Sequence, residues 1–438
     1  MPTAAEGMPR RSLENALHHG ALGLTALLPW LLILGRAAAD AGLSAAALLF
    51  LLRSAATGDW SWTARPWVRV AAAAWLYLLA ASLFTEEPGA GFLRALPWAR
   101  FWIFAAAVQH WVLADAGARR TALASLAAAV AFVAVNVLMQ WSVGFDMLGR
   151  PPVQSDRFNG PFSSLVSGSY LAIFGIPCLA ALLGWAVTSR RPGRLALAVL
   201  AIALYAGLVV VVGSRMPMLL FALGLVLLVL AAPGIRGIMA AGVVAGAVVV
   251  LAVLAYDPSV TYRMVSFFWY QLSNFGESDW GKLFRSGLAV WTDHPWTGVG
   301  LRNFRIECQD EAYAYIGTIA QRCNLHPHNF YIEWLAEAGV LGLTAFLALL
   351  GALGREVARF RRQTGPARFV AAGAVVSLVM FVWPAASTSS FFSNFNAAFF
   401  WFVTGFALAW AAPGPLGAER RPARDAGAAQ REGAATVS

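Results

Sequence analysis

Three of the chain's six histidines fall in two short runs, His294-Pro295-Trp296-Thr297-Gly298-Val299-Gly300 and His326-Pro327-His328-Asn329, inside one long polar segment of an otherwise apolar sequence. Histidine is the side chain that gains and loses a proton near neutral pH, so acid–base chemistry is to be sought here. Asn329 is a good helix cap, and the apolar pattern Phe330, Ile332, Trp334, Leu335 begins straight after it. A helix start disfavours imidazolium, which keeps His328 neutral and able to accept a proton, as a general base must. His326 competes for that role. A hydrogen-bonded structural histidine is the plainer alternative for either, and a zinc pair lacks an evident third ligand. Gly298-Val299-Gly300 by itself marks only a turn.

Arginines supply the complementary chemistry. Gly213-Ser214-Arg215-Met216-Pro217 joins two apolar runs almost without a loop. Ser214 suits the cap and Pro217 the first turn of the helix that follows. An arginine beside free helix N–H groups makes an anion site, to be weighed against interfacial snorkelling. Arg285 opens an amphipathic stretch, residues 285–291, that leads into His294, and Arg157 lies in the turn-rich run 156–162. Each alone reads as a solvated or ion-paired arginine; together, on one side of a membrane, they suit a diphosphate presented from the lipid. The outer segments hold no Asp-x-Asp pair to carry a divalent metal on such a group, and arginines are able to supply that charge stabilisation instead. No metal site and no cofactor are expected. Glu86, Glu87 and Asp146 are outer-side carboxylates, read as structural or solvated.

The elements that must position these residues are membrane helices. Of 438 residues, 59% are hydrophobic and 12% charged, against roughly 25% charged in a soluble domain. Apolar runs of about twenty residues mark spans, and twelve are read, near 20–35, 38–53, 67–85, 96–114, 121–142, 164–187, 195–212, 216–232, 236–256, 329–353, 368–387 and 395–412. With the N-terminus inside, twenty of the 32 basic residues fall in inner loops and tails, as the positive-inside rule requires. Twelve are left outside without a topological reason, among them Arg157, Arg215, Arg263 and Arg285. The organisation expected is nine helices over 1–256, a large outer loop over 257–328 with the chemical motifs, three helices over 329–412, and a disordered Arg/Ala/Gly-rich inner tail over 413–438. The net charge of +10 follows from topology better than from nucleic-acid binding, since no basic run is interleaved with aromatics outside the spans. The polar N-terminus lacks the short apolar core of a removable signal. Cys308 and Cys323 share the oxidising side, fifteen residues apart, and are expected to pair, while Cys178 lies in an apolar run and stays free.

At these residues the chain resembles the bacterial O-antigen ligase and O-antigen polymerase superfamily. The resemblance is carried by Ser214-Arg215, by Arg285 followed by the 294–300 run, and by 326–342, where His328, Asn329, nine residues, Gly339 and Gly342 follow the ligase pattern. Ligases often continue with a threonine pair; here it is Leu343-Thr344. The resemblance implies an all-α polytopic protein of GT-C-like fold in the bacterial inner membrane, with a large periplasmic loop. Its partners would be the lipid bilayer, an undecaprenyl-diphosphate-linked glycan and the lipid A–core acceptor, with transfer at the periplasmic face and inversion at the anomeric carbon. It makes His328 the base, with Arg215 and Arg285 on the diphosphate, Arg157 by a looser match, and His326 and Asn329 in support. A sister polymerase, a protein O-oligosaccharyltransferase and, from a different class, a transporter or flippase are the alternatives. A transporter places polar groups at midplane on broken helices, whereas here the ionisable residues gather at the outer ends.

Overall fold

The computed structural model describes residues 7–85 and 88–412; the Glu86-Glu87 pair and the tail expected over 413–438 lie outside them. Each apolar run read from the sequence contains a helix, but the run 368–387 leaves its helix at Phe381, so 382–387 belong to a connection and not to a span; the described residues contain no strand, only one isolated bridge between Gln154 and Arg157. The long helices are α1 (Gly7–Leu34), α2 (Arg36–Thr57), α3 (Pro66–Ala81), α4 (Ala99–Ala107), α5 (Ala116–Val143), α6 (Ser167–Ser189), α7 (Pro192–Val211), α8 (Arg215–Ala231), α9 (Arg236–Tyr256), α10 (Asp279–Asp293), α11 (Phe330–Val357), α12 (Gly365–Phe381) and α13 (Asn394–Ala411). Eight of them, α1 to α3, α5 to α7, α9 and α11, lie in segments long and apolar enough to cross a membrane. The chain is thus an all-α polytopic membrane protein. The other four expected spans are weaker. Helices α8 and α12 are apolar but have 17 residues each. Helix α4 has nine residues and runs on into a π-helical turn, and α13 opens on the polar residues Asn394 and Asn396.

The core follows from where the apolar surface is continuous. A helix apolar all round suits either a core or lipid; α13 takes the core and is buried at every position from Asn396 to Ala411. Its Phe399 meets Phe174 of α6 and Phe381 of α12, with ring centroids 4.6 and 5.1 Å apart. Small residues let the backbones close in, as membrane helices require: a Cβ on Gly373 would lie 2.6 Å from Ala180 Cβ.

Between α9 and α11 the chain is largely helical rather than an open loop. Short helices Pro258–Thr261 and Phe267–Ser273 lead to α10, which starts at Asp279 under a Ser278 cap, six residues ahead of Arg285. Leu283, Val290, Phe304, Cys308, Tyr313, Ile316 and Ala336 form a small separate core. Cys308 and Cys323 are joined as a disulfide. The neighbouring Arg322 is buried and donates to four carbonyls, those of Cys308, Gln309, Asp310 and Gly317, at 2.8–3.0 Å.

Candidate active site

The start of α11 builds one wall. Asn329 caps the helix by accepting from the N–H groups of Tyr331 and Ile332, and its amide donates to the carbonyls of Pro384 and Ala386 at 2.8 and 3.2 Å. The cap thereby ties α11 to the α12–α13 connection. There Thr388 N–H donates to the His328 carbonyl at 2.8 Å. The Thr388 carbonyl in turn lies 3.0 Å from His328 Nδ1 and 3.2 Å from His326 Nε2. A carbonyl only accepts, so Nδ1 of His328 carries the hydrogen and Nε2 holds the lone pair. His328 lines a cavity of about 590 Å³, and Trp280 of α10 stands edge-to-face on its ring at 4.5 Å. Burial pushes the His328 pKa down against the opposing pull of the Thr388 bond. Burial outweighs that bond and favours the neutral imidazole. Burial and the nearby His328 push His326 down to about 3. Its remaining nitrogen, Nδ1, is buried without a partner, and His326 is not part of the cavity wall.

The 294–300 run is architectural. Gly339 interrupts α11 at φ 66°, ψ −173°, a conformation essentially restricted to glycine. Into the break dock Val299 N–H on Ala336 O (3.0 Å), Gly300 N–H on Glu337 O (2.9 Å) and Pro295 O under Val340 N–H (2.9 Å). A Cβ on Gly339 would stand 2.2 Å from Trp296 O. His294 lies away from the cavity, 3.3 Å from Glu307. One turn past the cap, the buried Glu333 accepts from Ser390 Oγ and, at 2.7 Å, from Phe391 N–H.

The opposite wall is basic. Arg215 begins α8. Ser214 occupies the cap position but does not cap; its hydroxyl accepts from Arg157 Nη2 at 3.2 Å. The loop carrying Arg157 can reach because Gly213 has no side chain: a Cβ there would lie 2.4 Å from Asp156 O. Arg263 locks the assembly, donating through Nε to Gly213 O and through Nη1 to Asp156 Oδ2, both at 2.7 Å. Arg157, Arg215 and Arg263 all line the cavity, and no carboxylate does so among the described residues. Burial first, then the neighbouring Arg263 and Arg215, push Arg157 down to about 10 with Asp156 opposing; the site holds more positive charge than it neutralises. Arg157 Nε and Arg215 Nη1 are buried without partners. The remaining wall mixes neutral polar side chains with apolar ones, of which Leu219, Leu272 and Phe275 are also exposed.

Of the residues expected from sequence, the fold gathers His328, Arg215 and Arg157 around one cavity, with Asn329 and His326 behind. Arg285 is not in its wall. That guanidinium is exposed and donates to Gly276 O at 2.8 Å, beside the rim residues Phe275 and Ser278, while its neighbour Phe284 does face in. Arg263 takes the third basic position; its only sequence signal is membership of the outer arginines that topology leaves unexplained. Thr388 and the serines around it carry no such signal. Asp146 is buried in a pair with Arg150 at 3.0 Å, a structural role. Among the described residues no group of three His, Cys, Asp or Glu side chains is placed to hold a metal.

The bundle thus holds a cavity with three arginines on one wall and a neutral histidine on the other, an arrangement able to bind an anion and to accept a proton. Residues 200–347 match the family described as O-antigen ligase. The match supports the O-antigen ligase and polymerase superfamily for this chain, and with it a membrane glycosyltransferase-like enzyme. It takes in Arg215, Arg263, Arg285 and both histidines, but neither Arg157 nor the α12–α13 connection. No curated protein matches the chain.

Proposed function

We propose that the protein is an O-antigen ligase that transfers a glycan from undecaprenyl diphosphate to a sugar hydroxyl of lipid A–core at the periplasmic face of the inner membrane. The observation that carries this reading is the convergence of three arginines and the free Nε2 of His328 on one cavity with no carboxylate in its described wall. The arginines bind the diphosphate; guanidinium forks match its oxygens, and a water-poor site strengthens the attraction. The exposed apolar rim receives the isoprenoid. His328 Nε2 takes the proton of the acceptor hydroxyl, whose oxygen forms the new bond to the anomeric carbon. The old bond to the diphosphate oxygen breaks, and its electron pair leaves with the lipid diphosphate. One such displacement inverts the anomeric configuration, and the arginines stabilise the leaving charge as it grows. Arg285, just outside the wall, is assigned to the diphosphate at the entrance.

The test is transfer in vitro by the purified protein, with undecaprenyl-diphosphate glycan and lipid A–core as substrates. Labelled product on lipid A–core supports the ligase. Chain growth on undecaprenyl diphosphate instead makes the protein a polymerase, and collapse of transfer with a chelator, restored by magnesium or manganese, overturns the arginine-based mechanism.

A further inference from the structure

We propose that Gln271, Trp280, Ser387, Thr388 and Ser389 form a sugar subsite that holds the first sugar of the lipid-linked donor beside His328. The proposal rests on the donor reading above and adds to it which residues read the glycan. All five side chains line the cavity that His328 and the arginines share, and all five are neutral. Diphosphate recognition calls for charge; a polyhydroxyl ligand calls for neutral donors and acceptors at fixed positions, and an indole adds an apolar face and one N–H.

The serine-rich connection divides into two parts by hydrogen bonding. Ser390 is committed to the fold: its hydroxyl donates to the buried Glu333, and its carbonyl accepts from Asn396 Nδ2 at 2.9 Å. The preceding three residues are not. Thr388 Oγ1 is buried with no hydrogen-bond partner, and Ser387, Ser389, Gln271 and Trp280 Nε1 make no hydrogen bond to another described residue while lining the cavity. Buried polar groups in folded proteins are nearly always paired, so the orphaned Thr388 hydroxyl points to a ligand that completes it, and the half-buried Gln271, Trp280 and Ser387 and the exposed Ser389 are free to meet the same ligand. The backbone beneath is already fixed. Thr388 is bonded to His328 through both its N–H and its carbonyl, and Asn329 holds Ala386. The backbone that carries these hydroxyls is thus fixed beside His328, in the cavity where a sugar attached to the diphosphate must present its anomeric carbon.

Binding to nanodisc-embedded protein tests this with two probes, undecaprenyl diphosphate alone and undecaprenyl diphosphate bearing one N-acetylglucosamine. Ser387→Ala combined with Ser389→Ala, and separately Trp280→Phe, should keep wild-type affinity for the sugar-free lipid and lose about tenfold for the sugar-bearing one. Unchanged affinity for the sugar-bearing lipid, or a parallel loss for both, overturns the subsite. A wild-type protein that holds the sugar-free lipid but gains nothing from the sugar also overturns it while leaving the donor reading intact. A wild-type protein that binds neither lipid better than undecaprenol removes the donor reading and the subsite with it.

Discussion

His326 and His328 share one acceptor, the main-chain carbonyl of Thr388, through opposite ring nitrogens: Nε2 of His326 at 3.2 Å and Nδ1 of His328 at 3.0 Å. The sharing assigns the tautomers and separates the roles. His328 keeps its lone pair on the cavity side, and His326 is left with a buried one. Replacing His328 with Asn should keep a donor near the Nδ1 position and also suits the left-handed backbone there, φ 56°, which Asn tolerates better than Ala. The variant should therefore fold and bind donor yet lose about 10²–10⁴ in turnover. His326→Gln retains a donor near Nε2 and should keep more activity than His328→Asn. A dead His326 variant beside an active His328 variant would reverse the assignment.

The same pair sets the pH dependence. The His328 pKa lies below the ordinary 6.5, with burial the chief cause, so the base is neutral at pH 7 and turnover should fall only as the medium becomes acidic enough to protonate it. His326 stays neutral until about pH 3 and should contribute nothing to that acid limb. A kcat profile with its acid limb at or above pH 6.5 would contradict the buried, neutral base.

The arginines in the cavity wall and at its entrance should not be equivalent. Arg215→Lys keeps the charge but loses the fork, and should weaken undecaprenyl diphosphate binding by about tenfold or more. Arg263→Ala should cost more than its own contact, because it also leaves Asp156 unpaired next to the ligand. Adding Asp156→Asn should then recover part of the loss, a coupling measurable in a double-mutant cycle. Arg285→Ala should lose less than Arg215→Lys. Equal losses for those two would place Arg285 inside the wall when donor is bound.

The sequence made the helices legible because apolar runs need little more than counting, although only eight lie in segments long and apolar enough to cross a membrane; it pointed to the His328 cavity wall because a cap residue and a glycine pattern follow it. Arg157 and Arg215 could be paired only by chemistry, since 57 residues separate Arg157 from Ser214. Arg263 and the 387–389 hydroxyls were not legible as a site. Thr388 acts on His328, 60 positions away, largely through its backbone, which no residue type announces. Ser214 stands at the cap position without capping, because its hydroxyl serves Arg157 instead, a long-range contact that residue type alone does not show. The 294–300 run looked chemical, and its glycines serve instead to let backbone pass through a broken helix.

Topology is testable directly. The distribution of basic residues predicts that segment 257–328 and the C-terminus lie on opposite sides of the membrane. Reporter fusions at Gly276 and at the C-terminus should give opposite compartments, with the same compartment for both overturning the map.

The Cys308–Cys323 bridge closes a separation of 15 residues, for which chain entropy alone gives about 3 kcal/mol. Because the bridge ends three residues before His326, Cys308→Ser should lower the unfolding temperature and expose 308–323 to protease before the spans are affected. Alkylation of both thiols without reductant would show the bridge unformed.

Gly339 and Gly351 lie in the same helix and should respond in opposite directions to alanine. At Gly351 a Cβ meets nothing within 4 Å, so Gly351→Ala should be neutral or stabilise by up to about 1 kcal/mol through helix propensity. At Gly339 the backbone sits at φ 66° and the added carbon would collide with Trp296 O and Thr297 N. Strain of about 1–3 kcal/mol then adds to a clash that cannot relax without pulling the 294–300 run out of the break. The contacts at risk are the Ala336, Glu337 and Val340 backbone bonds that fix α11 beneath Asn329 and Glu333. Gly339→Ala should therefore lose both monodisperse protein and activity, while Gly351→Ala keeps both. Thermal unfolding in detergent with size-exclusion chromatography reads the difference. A well-folded Gly339→Ala protein of wild-type stability would mean that α11 is able to run straight, and that the break is not what positions His328.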